Sequence, residues 1–185
     1  MSTPLNIVAV SGGAYRPSRT LVLAEAILAG LAERVPATFR FVELSEIARP
    51  LGGALSRDEL PAAVEEQVRA IENADLLVVA SPVYRGAYPG LLKHLFDLVG
   101  MEALVDTPVL LAATGGSPLH ALVIDHQLRP LFSFFQAVTL PIGVYATEGD
   151  FSDYRIASEA LKARIRLAVE RAVPLLGAPE LRKIA

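Results

Sequence analysis

The chain has 185 residues, 52 % of them hydrophobic, with 17 basic against 20 acidic side chains and a net charge of −3. That length suits one ordinary domain, and the weak acidity argues against nucleic acid as the main partner, since such proteins carry a basic face. The absence of cysteine excludes a disulfide framework, a thiolate metal site and a cysteine nucleophile, and His94, His120 and His126 lack the spacing of a zinc site.

Mean hydropathy is high at +0.43, yet no apolar run approaches the ~18 residues that suggest a membrane span. The excess is read as two buried faces of one sheet plus a subunit interface. No basic segment or apolar core of a signal peptide precedes Leu5, so the expected location is the cytoplasm.

Residues 5–10 (LNIVAV) are short, β-branched and apolar, as in a strand buried on both faces of a parallel sheet. A turn from Ser11 to Thr20 follows, and then a helical pattern through Leu21, Ala24, Ile27, Leu28 and Leu31. Ser18 is the natural N-cap. A hydroxyl-rich helix start with adjacent arginines offers a phosphate free N–H groups, a favourable dipole and charged donors. An ordinary capped helix explains the same residues. The loop is neither G-x-G-x-x-G nor a P-loop.

Residues 38–44 (TFRFVEL) have the mixed polarity of an edge strand, and the segment to Arg57, with Pro50, Gly52 and Gly53, reads as a loop. Helical spacing resumes at Leu60, Val64, Val68 and Ile71, with Asp58 and Glu59 near its start. Residues 75–81 (DLLVVAS) form the central strand. After it, the loop of residues 82–90 is stiffened by Pro82 and Pro89 and opened by Gly86 and Gly90. A planar ring could lie against Pro82, Val83 and Tyr84, with Tyr88 a packing residue. The next helix carries Leu91, Leu92, Leu95, Phe96 and Val99 inward, and Lys93 and His94 on its solvated side.

Residues 107–114 (TPVLLAAT) form the fourth strand, ending in Gly115-Gly116-Ser117. Adjacent glycines leave N–H groups that could meet the polar edge of a ring. A helix is expected over about 118–135, but Leu119, Leu122 and Val123 fall out of phase with Leu128, Leu131, Phe132 and Phe135. The break at Asp125-His126 means either two buried faces or a π-bulge. Residues 138–146 make a fifth strand at an edge because of Pro141, residues 147–154 a polar loop, and residues 156–176 a closing amphipathic helix, with a mobile tail expected over 177–185. Strands alternating with helices predict an α/β, doubly wound, five-stranded parallel sheet with helices on both faces, in a single domain spanning residues 1–185.

Taken together, the three loops resemble the NAD(P)H-dependent FMN reductases, a flavodoxin-like family, from Ile7 to about Leu176. In the family's first motif, G-S-x-R-x-x-S, Gly12, Ser18 and Thr20 match, whereas Gly13 stands in the serine position and Tyr15 in the arginine position. Ser81-Pro82-Val83-Tyr84-Arg85-Gly86 with Pro89-Gly90 matches the second, and Thr114-Gly115-Gly116-Ser117 with His120 the third. The likeness is greatest to the branch that supplies reduced FMN to two-component sulfonate monooxygenases. That branch is associated with homotetramers and with an inserted residue, often tyrosine, where His126 stands here.

The resemblance implies hydride transfer from NADPH or NADH to FMN, with no obligatory side-chain acid or base and with His126 at most a modulator. Ser18, Arg19 and Thr20, with Ser11 or Arg16, would anchor the phosphate. Pro82, Val83, Tyr84, Arg85 and Gly86 would seat the ring, and Thr114, Gly115, Gly116, Ser117 and His120 would face its pyrimidine edge. The implied partner is an FMN-dependent monooxygenase, and the implied assembly a homotetramer or dimer. A quinone, azo-dye or chromate reductase that retains FMN, and a flavodoxin-type electron carrier, are the competing readings.

Overall fold

The structure is a computed structural model that describes residues 4–176; the expected tail lies outside the described residues. Strands β1 Leu5–Ser11, β3 Leu76–Pro82 and β4 Pro108–Gly115 form where aliphatic residues run without a helical period, and β2 Ala37–Glu43 where aromatic and polar residues mix. They pair in parallel in the order β2-β1-β3-β4. β2 is an edge and β3 the centre, as expected. The short strands β5 Val138–Thr139 and β6 Val144–Thr147 both add in parallel to the far side of β4.

The continuous fifth strand expected over 138–146 is therefore split. Pro141 has no N–H to give the ladder, and the backbone leaves the sheet around it. The carbonyls released by this break are taken by arginines: Arg129 donates to Leu140 O at 2.7 Å and to Pro141 O at 3.2 Å, and Arg164 donates to Gly143 O at 2.8 Å. Two side chains do the work of the missing ladder.

The helices are α1 Arg19–Ala32, α2 Leu44–Gly53, α3 Ala62–Glu72, α4 Gly90–Asp97, α5 Arg129–Phe134 and α6 Glu159–Leu176. Strand alternation divides the core between the two sheet faces. Ile7, Ala9, Leu76, Val78, Leu110 and Ala112 pack with Leu23 and Ile27 of α1 and Ile165 and Val169 of α6. Val8, Val10, Leu77, Val79 and Leu111 pack on the other face with Val68, Ile71, Phe96 and Phe132. Phe96 and Phe132 meet edge to face at 4.9 Å. This flavodoxin-like order reverses between β1 and β3, and the crevice at the carboxyl ends of those strands is where such sheets bind ligands.

Several local expectations are corrected. The segment read as a loop before Arg57 contains α2, because Leu44, Ile47 and Leu51 recur on one buried face despite Pro50. His94 is not on a solvated face: its Nε2 lies 3.1 Å from Leu51 O and 2.8 Å from Ala54 O, closing the end of α2. The helix predicted to include Leu60 starts at Ala62, after a 3₁₀ turn over Arg57–Glu59. The closing helix starts at Glu159, because residues of the expected polar loop form a hairpin, β7 Phe151–Ser152 with β8 Arg155–Ile156.

The segment after β4 is not one helix. It is a 3₁₀ turn over Pro118–His120, a π-helical turn over Ile124–Leu128, and then α5. The π turn is closed by the Arg129 N–H donating to Ile124 O, five residues back. It points Ile124 and Leu128 inward and leaves Asp125 and His126 exposed, which resolves the phase conflict in favour of the bulge.

Candidate functional site

Parallel strands place the turns after β1, β3 and β4 at one edge of the sheet, and hydrogen bonds then bind the turns to one another. Gly12 N donates to Ala80 O at 2.8 Å, joining the first turn to β3. Val83 N donates to Thr114 O at 2.8 Å, joining the second to β4. The Thr20 and Thr114 hydroxyls lie 2.6 Å apart, joining the first to the third. The three loops form one preorganised unit.

Between them opens a cleft of roughly 230 Å³ whose lining draws on all three turns and on Thr147, Glu148 and Tyr154. Larger hollows lie among the described residues at Ser152 to Ala157, at Val83 to Arg85 and beside the π turn at Ile124 and Asp125, and these do not gather all three turns. Lining residues, rather than volume, single out this cleft.

One end is the start of α1. Ser18 caps it, its Oγ accepting from Leu21 N at 3.2 Å, and no acidic residue occupies the first turn. The first N–H groups of a helix have no partner within it, so this end presents donors and a positive dipole to an anion. Arg19 lies here too, donating to Glu148 Oε1 at 2.5 Å with its guanidinium 5.3 Å from the Tyr154 ring centroid. Arg19 and Glu148 are the only charged side chains among the residues lining the cleft.

The middle is an apolar wall. Pro82 is buried, Val83 half-buried and Tyr84 exposed. The chain reverses immediately after Tyr84, whose N–H donates to Ala87 O at 2.8 Å while Ala87 N donates back at 3.2 Å. The two residues between them, Arg85 and Gly86, both have positive φ, 54° and 82°, as a type I′ turn requires.

The far end is backbone. A Cβ on Gly115 would lie 2.2 Å from the Tyr145 hydroxyl, so any side chain there would have to displace the phenol. Tyr145 in turn donates to Ser117 O at 2.6 Å and fixes the glycine turn from behind. Burial pushes its phenol pKa up, which keeps it a donor.

Of the residues singled out from the sequence, Ser18, Arg19, Thr20, Pro82, Val83, Tyr84, Thr114, Gly115 and Gly116 line this cleft. Ser11 is buried within β1, and Arg85, Gly86, Ser117 and His120 lie off the lining. Arg16 turns away to the sheet edge, where it is held by Glu43 through a 2.9 Å bond from its Nε and a second contact from Nη2. Of the two candidate arginines, the structure thus brings only Arg19 to the cleft. His126 is on the exposed side of the π turn, also outside the lining.

Sequence reasoning missed Thr147, Glu148 and Tyr154. A signal was present: Thr147 and Asp150 have capping-box spacing. Asp150 accepts from Thr147 N at 2.7 Å and from its hydroxyl at 2.9 Å. Burial pushes the Asp150 carboxyl up, but hydrogen bonds from the Thr147 backbone, the Ser158 side chain and the Thr147 hydroxyl outweigh it and leave the pKa below the ordinary value. This turn carries Glu148 to the cleft.

The donor set fits FMN: a capped helix start with one arginine for a phosphate, an apolar wall with an aromatic edge for a ring, and a glycine backbone for the ring's polar edge. Among the described residues no cluster of histidine and acidic groups could hold a metal ion.

Comparison with known proteins agrees. Residues 5–151 match the family model described as NADPH-dependent FMN reductase. The chain is 72 % identical over 177 residues to NADH-dependent FMN reductase SfnF of Pseudomonas fluorescens, covering 96 % of this chain and 95 % of that protein. It is 66 % identical to an FMN reductase (NADPH) of Pseudomonas aeruginosa over 186 residues, covering 100 % of each. Among solved structures, an oxidoreductase from Corynebacterium diphtheriae superposes with a TM-score of 0.80 at 34 % identity, over 95 % of this chain and 98 % of that one.

Proposed function

Since this chain belongs to the NADPH-dependent FMN reductase family, we propose that it reduces FMN as a passing substrate and supplies free reduced FMN to a partner monooxygenase, in the use of organosulfur compounds such as sulfonates. FMN and a reduced nicotinamide are its cofactors, and the hydride chemistry is theirs; the protein supplies position and electrostatics. The observation that supports a passing flavin is the cleft itself, which opens to solvent and offers a phosphate a single arginine already engaged by Glu148.

In this reading Ser18, Arg19, Thr20 and the first N–H groups of α1 hold the phosphate, and Pro82, Val83 and Tyr84 back the ring. The Gly115-Gly116 backbone lies along the ring's polar edge, where N–H donors favour negative charge. The cross-linked loops keep both reactants in register, the main expected source of rate. No helix among the described residues is long and apolar enough to cross a membrane. The protein works as a homo-oligomer, a tetramer or a dimer, consistent with Leu119 and Leu122 standing exposed beside the π turn, and light scattering of the purified protein decides between the two.

The test is an anaerobic reaction of flavin-free protein with excess FMN and each nicotinamide, followed by filtration. Multiple turnovers with reduced FMN in the filtrate are expected. Reduction confined to one protein-bound equivalent would overturn the supply role in favour of a reductase that keeps its flavin and reduces another acceptor.

A further inference from the structure

We infer that Glu148 competes with the flavin phosphate for Arg19 and thereby holds FMN affinity down, acting as a built-in release element. The inference rests on the phosphate placement proposed above and extends it to a residue of opposite charge that no phosphate site needs.

A phosphate monoester brings close to two negative charges at neutral pH. The cleft meets it with one arginine, and that arginine is already paired with Glu148 at 2.5 Å. Arrival of the phosphate must break or share the pair and leave a carboxylate near a dianion. Both effects weaken binding.

Glu148 cannot simply leave with its loop. Its backbone opens the 3₁₀ turn Glu148–Asp150, which is clamped by the reciprocal bonds between Thr147 and Asp150 and by Ala157 N donating to Asp150 O at 2.9 Å. Only the side chain, 66 % exposed, is free to swing. Arg19 is also held by the Tyr154 ring, over which its guanidinium lies. The cation therefore stays in place whichever anion it serves. When phosphate departs, the carboxylate reoccupies Arg19 without reorganisation of the loop.

The test titrates oxidised FMN and riboflavin, by quenching of flavin fluorescence, into the wild type, Glu148→Gln, Arg19→Gln and the double variant. Riboflavin lacks the phosphate and reports only the ring site. In the wild type FMN should bind tighter than riboflavin. Glu148→Gln should tighten FMN by roughly three- to tenfold, the scale of an exposed ion pair plus relieved like-charge repulsion, and leave riboflavin unchanged. In the Arg19→Gln background the part of that gain due to the Arg19–Glu148 pair should vanish, leaving only the smaller part due to relieved like-charge repulsion. If FMN outbinds riboflavin in the wild type but Glu148→Gln leaves FMN unchanged, weakens it, or tightens riboflavin equally, the competition is overturned while the phosphate site stands. If the wild type binds FMN no better than riboflavin, the phosphate site falls and the competition with it. Glu148 is exposed and bonded through its side chain to Arg19, so matched melting temperatures would check that each variant is folded.

Discussion

The hydroxyls of Thr20 and Thr114, 94 positions apart in the sequence, share a buried 2.6 Å hydrogen bond that joins the first helix to the end of the fourth strand. Removing one partner strands the other without water, at a cost of about 1–3 kcal/mol. Thr20→Val and Thr114→Val should each lower stability on that scale, and the double variant should be more stable than the sum of the two predicts. Urea unfolding midpoints check this; strict additivity would mean that the hydroxyls do not depend on each other.

The glycine at 115 is constrained in a different way. An alanine methyl would sit 2.2 Å from the Tyr145 hydroxyl and 3.2 Å from its Cζ. Gly115→Ala must push the phenol off Ser117 O and displace the turn, a strain of about 1–3 kcal/mol. FMN affinity should fall roughly tenfold or more, since 1.4 kcal/mol is a factor of ten. Adding Tyr145→Phe should recover part of the loss, because the hydroxyl is the closest obstacle. Unchanged affinity in the single variant would show that this turn does not shape the flavin site.

These two contacts show where sequence reading succeeds and stops. Ser18, Pro82 and Gly115 are legible because each residue type announces its local duty: a cap, a fixed φ, a close approach. The two-faced core is legible because Ile7 to Val10 and Leu76 to Ala80 alternate between helix layers. Glu148 is not, since its meeting with Arg19 spans 129 positions and depends on a hairpin with weak local signals. Arg16 is misleading for the same reason: nothing near it in the sequence says that Glu43, at the end of the neighbouring strand, will claim it. The helical α2 escaped notice because Pro50 and two glycines outweighed the spacing of Leu44, Ile47 and Leu51.

Away from the cleft, Arg57 bridges two carboxylates. It reaches Glu65 at 2.5 and 3.0 Å and Glu72 at 2.7 and 2.9 Å, and also donates to Leu98 O at 2.6 Å. Its hydrogen bonds, with those of Arg69, lower the Glu65 pKa from 4.5 to about 2, and Glu72 is lowered in the same direction by Arg57. A carboxylate whose pKa is depressed by folding contributes stability that is present above its unfolded value and lost as pH falls through its folded one. That window runs from 4.5 down to about 2. Arg57→Gln should therefore be less stable than the wild type at neutral pH, and the gap should close as the solution is acidified through this range. Thermal melts at a series of pH values check it, and a gap that widens on acidification would contradict the assignment.

The π turn is braced by a glycine. A Cβ on Gly143 would lie 2.8 Å from Cγ2 and 3.1 Å from Cδ1 of Ile124, the first residue of that turn. Gly143 sits where Pro141 has thrown the strand off the ladder, and its carbonyl is held by Arg164. Neither side can retreat easily: the strand is tied by Arg164, and the turn by the Asp125 and Arg129 pair at 2.6 Å. Gly143→Ala should cost about 1–3 kcal/mol, concentrated in the turn. The amide of Arg129, which donates to Ile124 O, should lose protection from hydrogen exchange more than the amides of β4. Ile124→Leu, which lacks the Cγ2 branch, should offset part of the cost in the double variant. If Gly143→Ala leaves exchange at Arg129 unchanged, the bulge does not depend on this contact, and the Arg129 bonds to Leu140 and Pro141 would have to hold it unaided.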